Sequence, residues 1–513
     1  MKSLQFSLRS LTTIGALFFF LACSFTTFAT PGQSGTLDAF FATGSSVGAG
    51  KAITPIGPGS DRAFAMTLQP DGKMVLAGAC DSSAVPNWHF CALRYLQNGT
   101  PDPDFGIGGT VITTIKGAST AQALFVQPDG KIVMAGWCFD LASSPFFPFC
   151  ALRYNVDGSL DLSFGLNGKV ITTVGTGNGS DAAYAAALQP DGKMVLAGGC
   201  YNGTNNDFCA ARYDSAGQLD NTFGSGGKVI AAVGSNDDVA KSVAIQPDGK
   251  IVLAGTCSNG SSNEFCAMRL NASGLLDTGF NATGKVITAI GSGSDAQAVA
   301  LQPDGRILVA GKCSAVPFNY FCVLRYNVNG SLDTSFGGTG RFLTQVGSGN
   351  DFAYSIALQP DGKILLAGNC TTGGNDDFCM VRYHPNGILD VTFNGTGKVI
   401  TPVGSGNDLA KTILLQPDGK ILIAGYCDGD RNTDFCVARY DSGPFGYKNC
   451  SLDVDGDGRF LATTDALINM RIALGITGPA VIGGITFAPN ATRNTWPLIR
   501  DFLVTQCGVS LVQ

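Results

Sequence analysis

Asp453, Asp455 and Asp457 stand at alternate positions of the stretch LDVDGDGRFLATTDALINMRIALG, with Gly458 next and Asp465 where a helical pattern begins. Oxygen ligands at the first, third and fifth positions, followed by a glycine for the turn, suit a hard cation. A structural Ca²⁺ is therefore expected there, with a metal-free Asp/Gly turn as the alternative. Thr464 holds the twelfth position and the closing acid the thirteenth, a departure from the usual loop. Catalytic signals are sparse by comparison. His89 and His384 are the only histidines, so a Ser–His–Asp triad could draw on those two alone. An HExxH motif is absent from the sequence. No enzymatic activity is expected on this ground.

Cysteines supply the other recurring chemistry. Of 17, Cys23 lies near the N-terminus and fourteen fall in seven close pairs: Cys80/Cys91, Cys138/Cys150, Cys200/Cys209, Cys257/Cys266, Cys313/Cys322, Cys370/Cys379 and Cys427/Cys436. Cys450 and Cys507 bracket the C-terminal segment as an eighth pair. Without a CxxC and with two histidines, zinc is the weaker reading and a disulfide framework the stronger.

These residues sit in a repeat. The hexapeptide at 68–73, LQPDGK, returns in near-identical form at 126–131, 188–193, 245–250, 301–306, 358–363 and 415–420. In the third unit, AAYAAAL (182–188), KMVLAG (193–198), FCAARY (208–213) and KVIAAV (228–233) read as four strands, a to d, separated by Gly, Asn and Asp turns. Proline presets φ and glycine tolerates a positive φ, so QPDG is the a–b turn. It has neither the glycine pattern nor the following helix of a phosphate loop. Each cysteine pair then joins the end of strand b to the start of strand c. Directly opposite residues in antiparallel strands lie about 4.5–5.5 Å apart, within disulfide range. Each bond would contribute about 2.5–3 kcal/mol in the chain-entropy model.

Four antiparallel strands repeated seven times predict an all-β fold, a seven-bladed β-propeller. The seventh unit loses the pattern after Asp441, while Leu37-Asp38, Phe41 and KAITPI (51–56) match the c–d turn and strand d of other units. A ring closed by this N-terminal strand uses every piece once and leaves no open edge. An arginine recurs in strand c (Arg94, Arg153, Arg212, Arg269, Arg325, Arg382, Arg439). An aspartate follows it (Asp102, Asp161, Asp220, Asp277, Asp333, Asp390), with Asp38 as the displaced seventh. Repetition in every blade marks these as structural pairs or caps. The aromatic of LDxxF, from Phe105 to Phe393, is expected in the core between blades.

The unit QPDGKIVLAG…FCxxRY…NGSLDxSFGxxGKVxT resembles the delta-60 repeat, found mainly in large bacterial exported proteins. The resemblance covers about residues 35–441 and implies a propeller whose biochemical role is poorly defined. The aspartate loop resembles the calcium loop of dockerin-like and EF-hand repeats. With no second such loop, a full paired dockerin is not supported. The region 442–513 reads as a small, disulfide-stapled helical module, its second helix starting at Thr495-Trp496-Pro497.

Gly is abundant at 69 residues, charged residues make up 14% and Glu264 is the only glutamate, which favours short strands and turns over exposed helices. The net charge of −6 argues against a nucleic-acid surface. Lys2 and Arg9 precede an apolar run at 14–22 and a small-residue site near Ala29, so residues 1–29 read as a signal peptide. Lipidation at Cys23 is the alternative, with Phe20-Leu21-Ala22 a poor lipobox. No transmembrane segment is expected elsewhere, and the mature protein is expected as a monomer, secreted, periplasmic or at the cell surface.

In such a propeller the a–b and c–d turns share one face, alike in all blades. The d–a and b–c loops share the other, which varies. Binding sites arise on variable loops of a fixed scaffold. The candidates there are Trp88 and His89 in blade one; Trp137, Phe139, Phe146 and Phe147 in blade two; and Phe318 and Tyr320 in blade five. Asp376, Asp377, Asp428, Asp430 and Arg431 form an acidic sector. The expected role is binding or adhesion to an extracellular glycan or protein. Two alternatives stand beside it. One is a propeller hydrolase or lactonase using a channel metal held by Asp181, Asp238, Asp351 and Asp408. The other is a passive surface component.

Overall fold

The computed structural model describes residues 34–443, except 83–84, 116, 140–146, 177–178 and 430–431. Towards the C-terminus it describes 464, 467–468, 471, 478–487 and 491–505. The signal segment, Phe146, Asp430, Arg431, Asp453, Asp455, Asp457, Asp465, Cys450 and Cys507 lie outside the described residues.

Twenty-eight strands form seven four-stranded antiparallel sheets. Six blades are continuous in sequence. The first is built from Asp61–Leu68, Met74–Ser82, Val85–Tyr95 and Thr110–Thr113. The seventh takes Asp408–Leu415, Ile421–Asp428 and Thr433–Tyr440 from the end of the repeat and Lys51–Thr54 from its beginning. Lys51 pairs with Ala438 and Thr54 with Phe435, so the ring is closed as the repeat pattern requires.

Each QPDG turn is tight. Gly72 N–H donates to the Gln69 carbonyl, and the turn glycines, Gly72 to Gly419, all sit at φ between 80° and 83°, where a Cβ would be strained. The lysine that completes the hexapeptide supports the arginine–aspartate pair: Lys73 Nζ lies 2.9 Å from Asp102 Oδ2, and Arg94 Nε lies 2.7 Å from the same oxygen. The arginine also reaches the next blade. Arg325 Nη1 donates to the Pro385 carbonyl at 2.7 Å, and Arg382 Nη1 to that of Ser442 at 2.8 Å. Its guanidinium stacks over the LDxxF aromatic of its own corner, at 4.3 Å for Arg382 on Phe393. Asp38 takes this role for Arg439 at 2.7 Å, with Phe41 beneath the guanidinium at 4.5 Å. The recurring charges are therefore ties between blades. The LDxxF aromatics and Phe41 are fully buried in the seven cores between neighbouring sheets.

Seven disulfides join the predicted pairs, with Cα atoms 5.6–5.9 Å apart: Cys80–Cys91, Cys138–Cys150, Cys200–Cys209, Cys257–Cys266, Cys313–Cys322, Cys370–Cys379 and Cys427–Cys436. The expected register of these bonds needs correction, because no strand-c cysteine stands directly opposite its partner. Cys91 faces Gly78, Cys150 faces Gly136, Cys209 faces Gly198 and Cys266 faces Gly255. Cys322, Cys379 and Cys436 likewise face Gly311, Gly368 and Gly425. The strand-b cysteine lies two residues past that glycine, so each bond runs diagonally across its hairpin. At 5.6–5.9 Å the Cα atoms of these diagonal pairs fall within disulfide range. All fourteen sulfurs belong to buried residues, so they staple the blades from within and present no thiol surface to a ligand. Seven such bonds fit an oxidising compartment. Among the described residues no helix is long and apolar enough to cross a membrane.

Beyond residue 443 the described residues carry one 3₁₀ turn, Gly478–Ile482, and one helix, Trp496–Thr505. Ile468, Val481 and Ile499 bury together, and Arg471 Nη1 donates to the carbonyls of Val481 and Gly483 at 3.0 and 2.7 Å. The helix Trp496–Thr505 begins where the sequence places the module's second helix, residues 467, 468 and 471 are also helical, and the rest of the expected module falls largely outside the described residues.

Candidate functional site: the axial channel and its upper mouth

The inner strands of the seven sheets surround a channel of about 350 Å³. One feature of the repeat decides what faces it. In every blade the register of inner and second strand slips by one residue. In blade one Ala63 pairs with Gly78 and Ala65 with Ala77, leaving Phe64 as the bulged residue. The equivalent bulges are Gln122, Tyr184, Lys241, Gln297, Tyr354 and Lys411. All seven line the channel. The glycine of the recurring LAG, MAG, VAG or IAG segment permits this. A Cβ on Gly78 would meet the Arg62 carbonyl, and one on Gly425 the Leu409 carbonyl, so only glycine allows the bulge to approach. A residue chosen for close backbone contact thus aims a different side chain from each blade at the axis.

The resulting ring is cationic and aromatic. Lys241 Nζ lies 3.3 Å from the centroid of the Tyr184 ring, and Lys411 Nζ 3.4 Å from that of Tyr354. Burial pushes Lys241 down to about 8; burial and the nearby Arg62 charge bring Lys411 down to about 7. Arg62, two positions before the bulge at the upper rim, lies 5.0 Å from the Trp88 ring and 5.4 Å from that of Tyr426. Lys411 is 5.6 Å from the same Tyr426 ring, and Phe64 packs edge-on against it at 6.0 Å. Among the described residues, Arg62, Lys241 and Lys411 are in no ion pair.

The sequence candidates fall in several places. Trp88 joins the Arg62–Tyr426 group at the mouth. Trp137, Phe139 and Phe147 cluster within blade two, with the centroids of the first two rings 5.0 Å and 5.2 Å from that of Phe147. Tyr320 is half-buried opposite Cys313 in blade five, apart from both groups. His89 is only 1% exposed and offers no surface, because alternation along its strand turns it inward while Trp88 faces out. The acidic sector is held by its own loops: Asp376 Oδ1 accepts from Thr371 Oγ1 at 2.8 Å, and Asp428 Oδ2 from the Asn407 amide at 2.9 Å.

The aspartates expected in the channel are instead clamps for the d–a loops. Asp408 Oδ2 accepts from the amides of Val403 and Gly404, Asp351 holds Val346 and Gly347, and Asp238 holds Val233 and Gly234. Asp181 holds Val174, Gly175 and Tyr201, and all four are buried. Backbone donors claim these carboxylates, which overturns their placement as a channel metal set. The bulge ring escaped sequence reasoning, yet it left a trace. The A-x-A/S/T core of each inner strand is nearly constant, while x runs through Phe, Gln, Tyr, Lys, Gln, Tyr and Lys.

The clamps carry a pH signature. Burial, then neighbouring carboxylates, raise Asp61 and Asp408 to about 6 from an ordinary 3.8. Between those values the folded chain keeps protons that the unfolded chain releases, so stability grows as pH falls from 7 towards 5. Burial also works to raise Asp390, but Thr392, Arg382 and Lys363 hold it at about 2, and that contribution is lost only below about pH 4. Thermal unfolding should therefore peak near pH 4–5. Asp408→Asn should reduce the stability change between pH 5 and 7 by about 1 kcal/mol. A wild-type profile with higher stability at pH 7 than at pH 5 would count against the buried clamps.

A family described as "Domain of unknown function (DUF5122) beta-propeller" matches this chain at residues 69–105, 127–164, 189–223, 246–280, 302–336, 359–393 and 416–443. No curated protein matches the sequence. Among solved structures, Sqt1 from Chaetomium thermophilum aligns at 11% identity over 76% of this chain and 97% of its own, with a TM-score of 0.41. The polysaccharide lyase Uly1 aligns at 12% identity over 75% and 90%, also at 0.41. YCF48 bound to D1 peptide aligns at 14% identity over 76% and 95%, at 0.38. The seven matched stretches, one in each blade and each opening on the QPDG turn, support a β-propeller repeat family for this chain.

Proposed function

We propose that this protein is an exported, non-enzymatic binding module that takes a glycan at the upper mouth of its axial channel. The observation that carries the reading is the bulge ring. Seven otherwise uniform blades present seven channel residues differing in charge and polarity. Structural economy alone would repeat one residue there, as it does for the arginine ties. Aromatic rings at the rim (Trp88, Tyr426) and uncommitted carboxamides below them (Gln122, Gln297) offer the stacking faces and hydrogen-bonding groups that sugars use. Ca²⁺ in the Asp453–Asp455–Asp457–Asp465 loop would brace the C-terminal segment as an accessory. Protection of that segment from proteolysis by calcium, lost in Asp455→Ala, checks this part.

Binding to an array of extracellular polysaccharides tests the main reading. Wild type should retain a subset of glycans, and Trp88→Ala or Tyr426→Ala should weaken retention about tenfold or more. Hydrolysis of a lactone or glycoside panel, abolished by chelator, would instead support the enzymatic alternative.

A further inference from the structure

Lys411 and Arg62 flank one face-to-edge aromatic group from adjacent blades, and this pair is the least compensated charge in the channel. Both lie over Tyr426, at 5.6 and 5.4 Å from its ring centre. Each is close enough to the other for the Arg62 charge to act on Lys411. The other channel cation is different: Lys241 feels Asp295, which is itself tied to Lys312 at 2.8 Å. The acid that Lys411 senses, Asp376, is committed to Thr371. Arg62 Nε is buried with no hydrogen-bond partner. Two cations brought together at a half-buried mouth, with an unpaired guanidinium nitrogen, cost free energy in the empty protein. An anion between them would remove that cost.

The neighbouring groups narrow the anion. Gln122 and Gln297 line the same channel, with side-chain amides that make no hydrogen bond among the described residues. Carboxamides both donate and accept, which matches hydroxyl groups. A cavity of about 350 Å³ is at the small end of ligand sites, sized for a terminal unit rather than a folded segment. We propose that the channel mouth recognises a uronate, a sugar residue carrying a carboxylate. Lys411 and Arg62 would take the carboxylate, and Gln122 and Gln297 the hydroxyls. This rests on the glycan reading above and specifies its charge.

Isothermal titration of the intact protein with trigalacturonate, a neutral galactose trisaccharide and hexaglutamate separates the possibilities. Trigalacturonate should bind, weaken as salt is raised from about 50 to about 500 mM, and lose about ten- to a hundredfold in affinity in Lys411→Gln and Arg62→Gln. Lys411→Arg should keep most of the affinity, and the two Gln variants should unfold at or above the wild-type temperature, since a like-charge contact is relieved. Equal binding of the neutral trisaccharide, unchanged in Lys411→Gln, would overturn the uronate assignment and leave the glycan reading standing. Tighter binding of hexaglutamate than of trigalacturonate would overturn the sugar assignment in favour of an acidic peptide. Retention of none of the three would overturn the site.

Discussion

Removing residues 34–56 is expected to abolish cooperative folding of the entire ring rather than to loosen one blade. The segment supplies the outer strand of the seventh sheet, pairing Lys51–Thr54 with Phe435–Ala438. It also supplies Phe41, fully buried in the core shared by blades seven and one. Loss of such an aromatic alone costs about 3–5 kcal/mol. Asp38 goes with it, leaving Arg439 buried without its carboxylate, a second cost of about 3–5 kcal/mol. Thr54 is lost too, and with it the 2.7 Å hydrogen bond from Tyr95 of blade one. The sum approaches the whole stability of an ordinary domain, about 5–15 kcal/mol. The third strand of blade seven would then present an open edge to other molecules. The truncated protein should show no sharp thermal transition and should elute as aggregates. A monomer that unfolds near the wild-type temperature would be incompatible with this closure.

Asp390→Ala should be the most damaging single substitution outside the cores. Asp390 is fully buried and accepts from Arg382 at 2.8 Å, with Lys363 at 3.4 Å and Thr392 also on its carboxylate. Its removal strands a guanidinium that is 2% exposed and that also ties the blade to Ser442. Breaking such a pair costs about 3–5 kcal/mol. Asp71→Ala, at an exposed turn carboxylate 3.8 Å from Lys73, should stay within about 0.5 kcal/mol. Asp390→Asn should fall between them, because it keeps a hydrogen-bond acceptor and loses the charge. Urea denaturation of the three variants gives the order directly. Equal midpoints for Asp390→Ala and Asp71→Ala would remove the ties from the account.

The parts of this molecule that could be read from sequence are those that every blade repeats. Seven copies of QPDG, of the cysteine pair and of the arginine–aspartate spacing fix strand order, hairpins and blade number. The displaced Leu37-Asp38 and Phe41 disclosed how the ring closes. Periodicity of this kind is local, and each copy checks the others. The channel was not legible in the same way, because its side chains are placed by a contact between strands. Lys411 reaches the axis only because Gly425, on the adjacent strand, lets the inner strand bulge. The loop aspartates failed as channel groups for a related reason. Asp408 does stand near the rim, but amides of Val403 and Gly404 turn its carboxylate into the loop. The diagonal disulfide register has the same origin: spacing identifies the partners, while the pairing of Gly78 with Cys91, or of Gly425 with Cys436, decides which residues face each other. Trp88 was identified by its type and place, and the structure adds Arg62 and Tyr426 as its companions.

Lys51→Cys/Ala438→Cys addresses ring closure most directly, since these positions face each other across the closing pair of strands. Opposed antiparallel residues lie within disulfide reach, so the two new cysteines should join under mild oxidation. Mass spectrometry of the proteolysed, unreduced monomer should find one peptide link between positions 51 and 438, in high yield. Links formed only between molecules, or two free thiols after oxidation, would contradict a ring closed by its leading strand and the channel built around it.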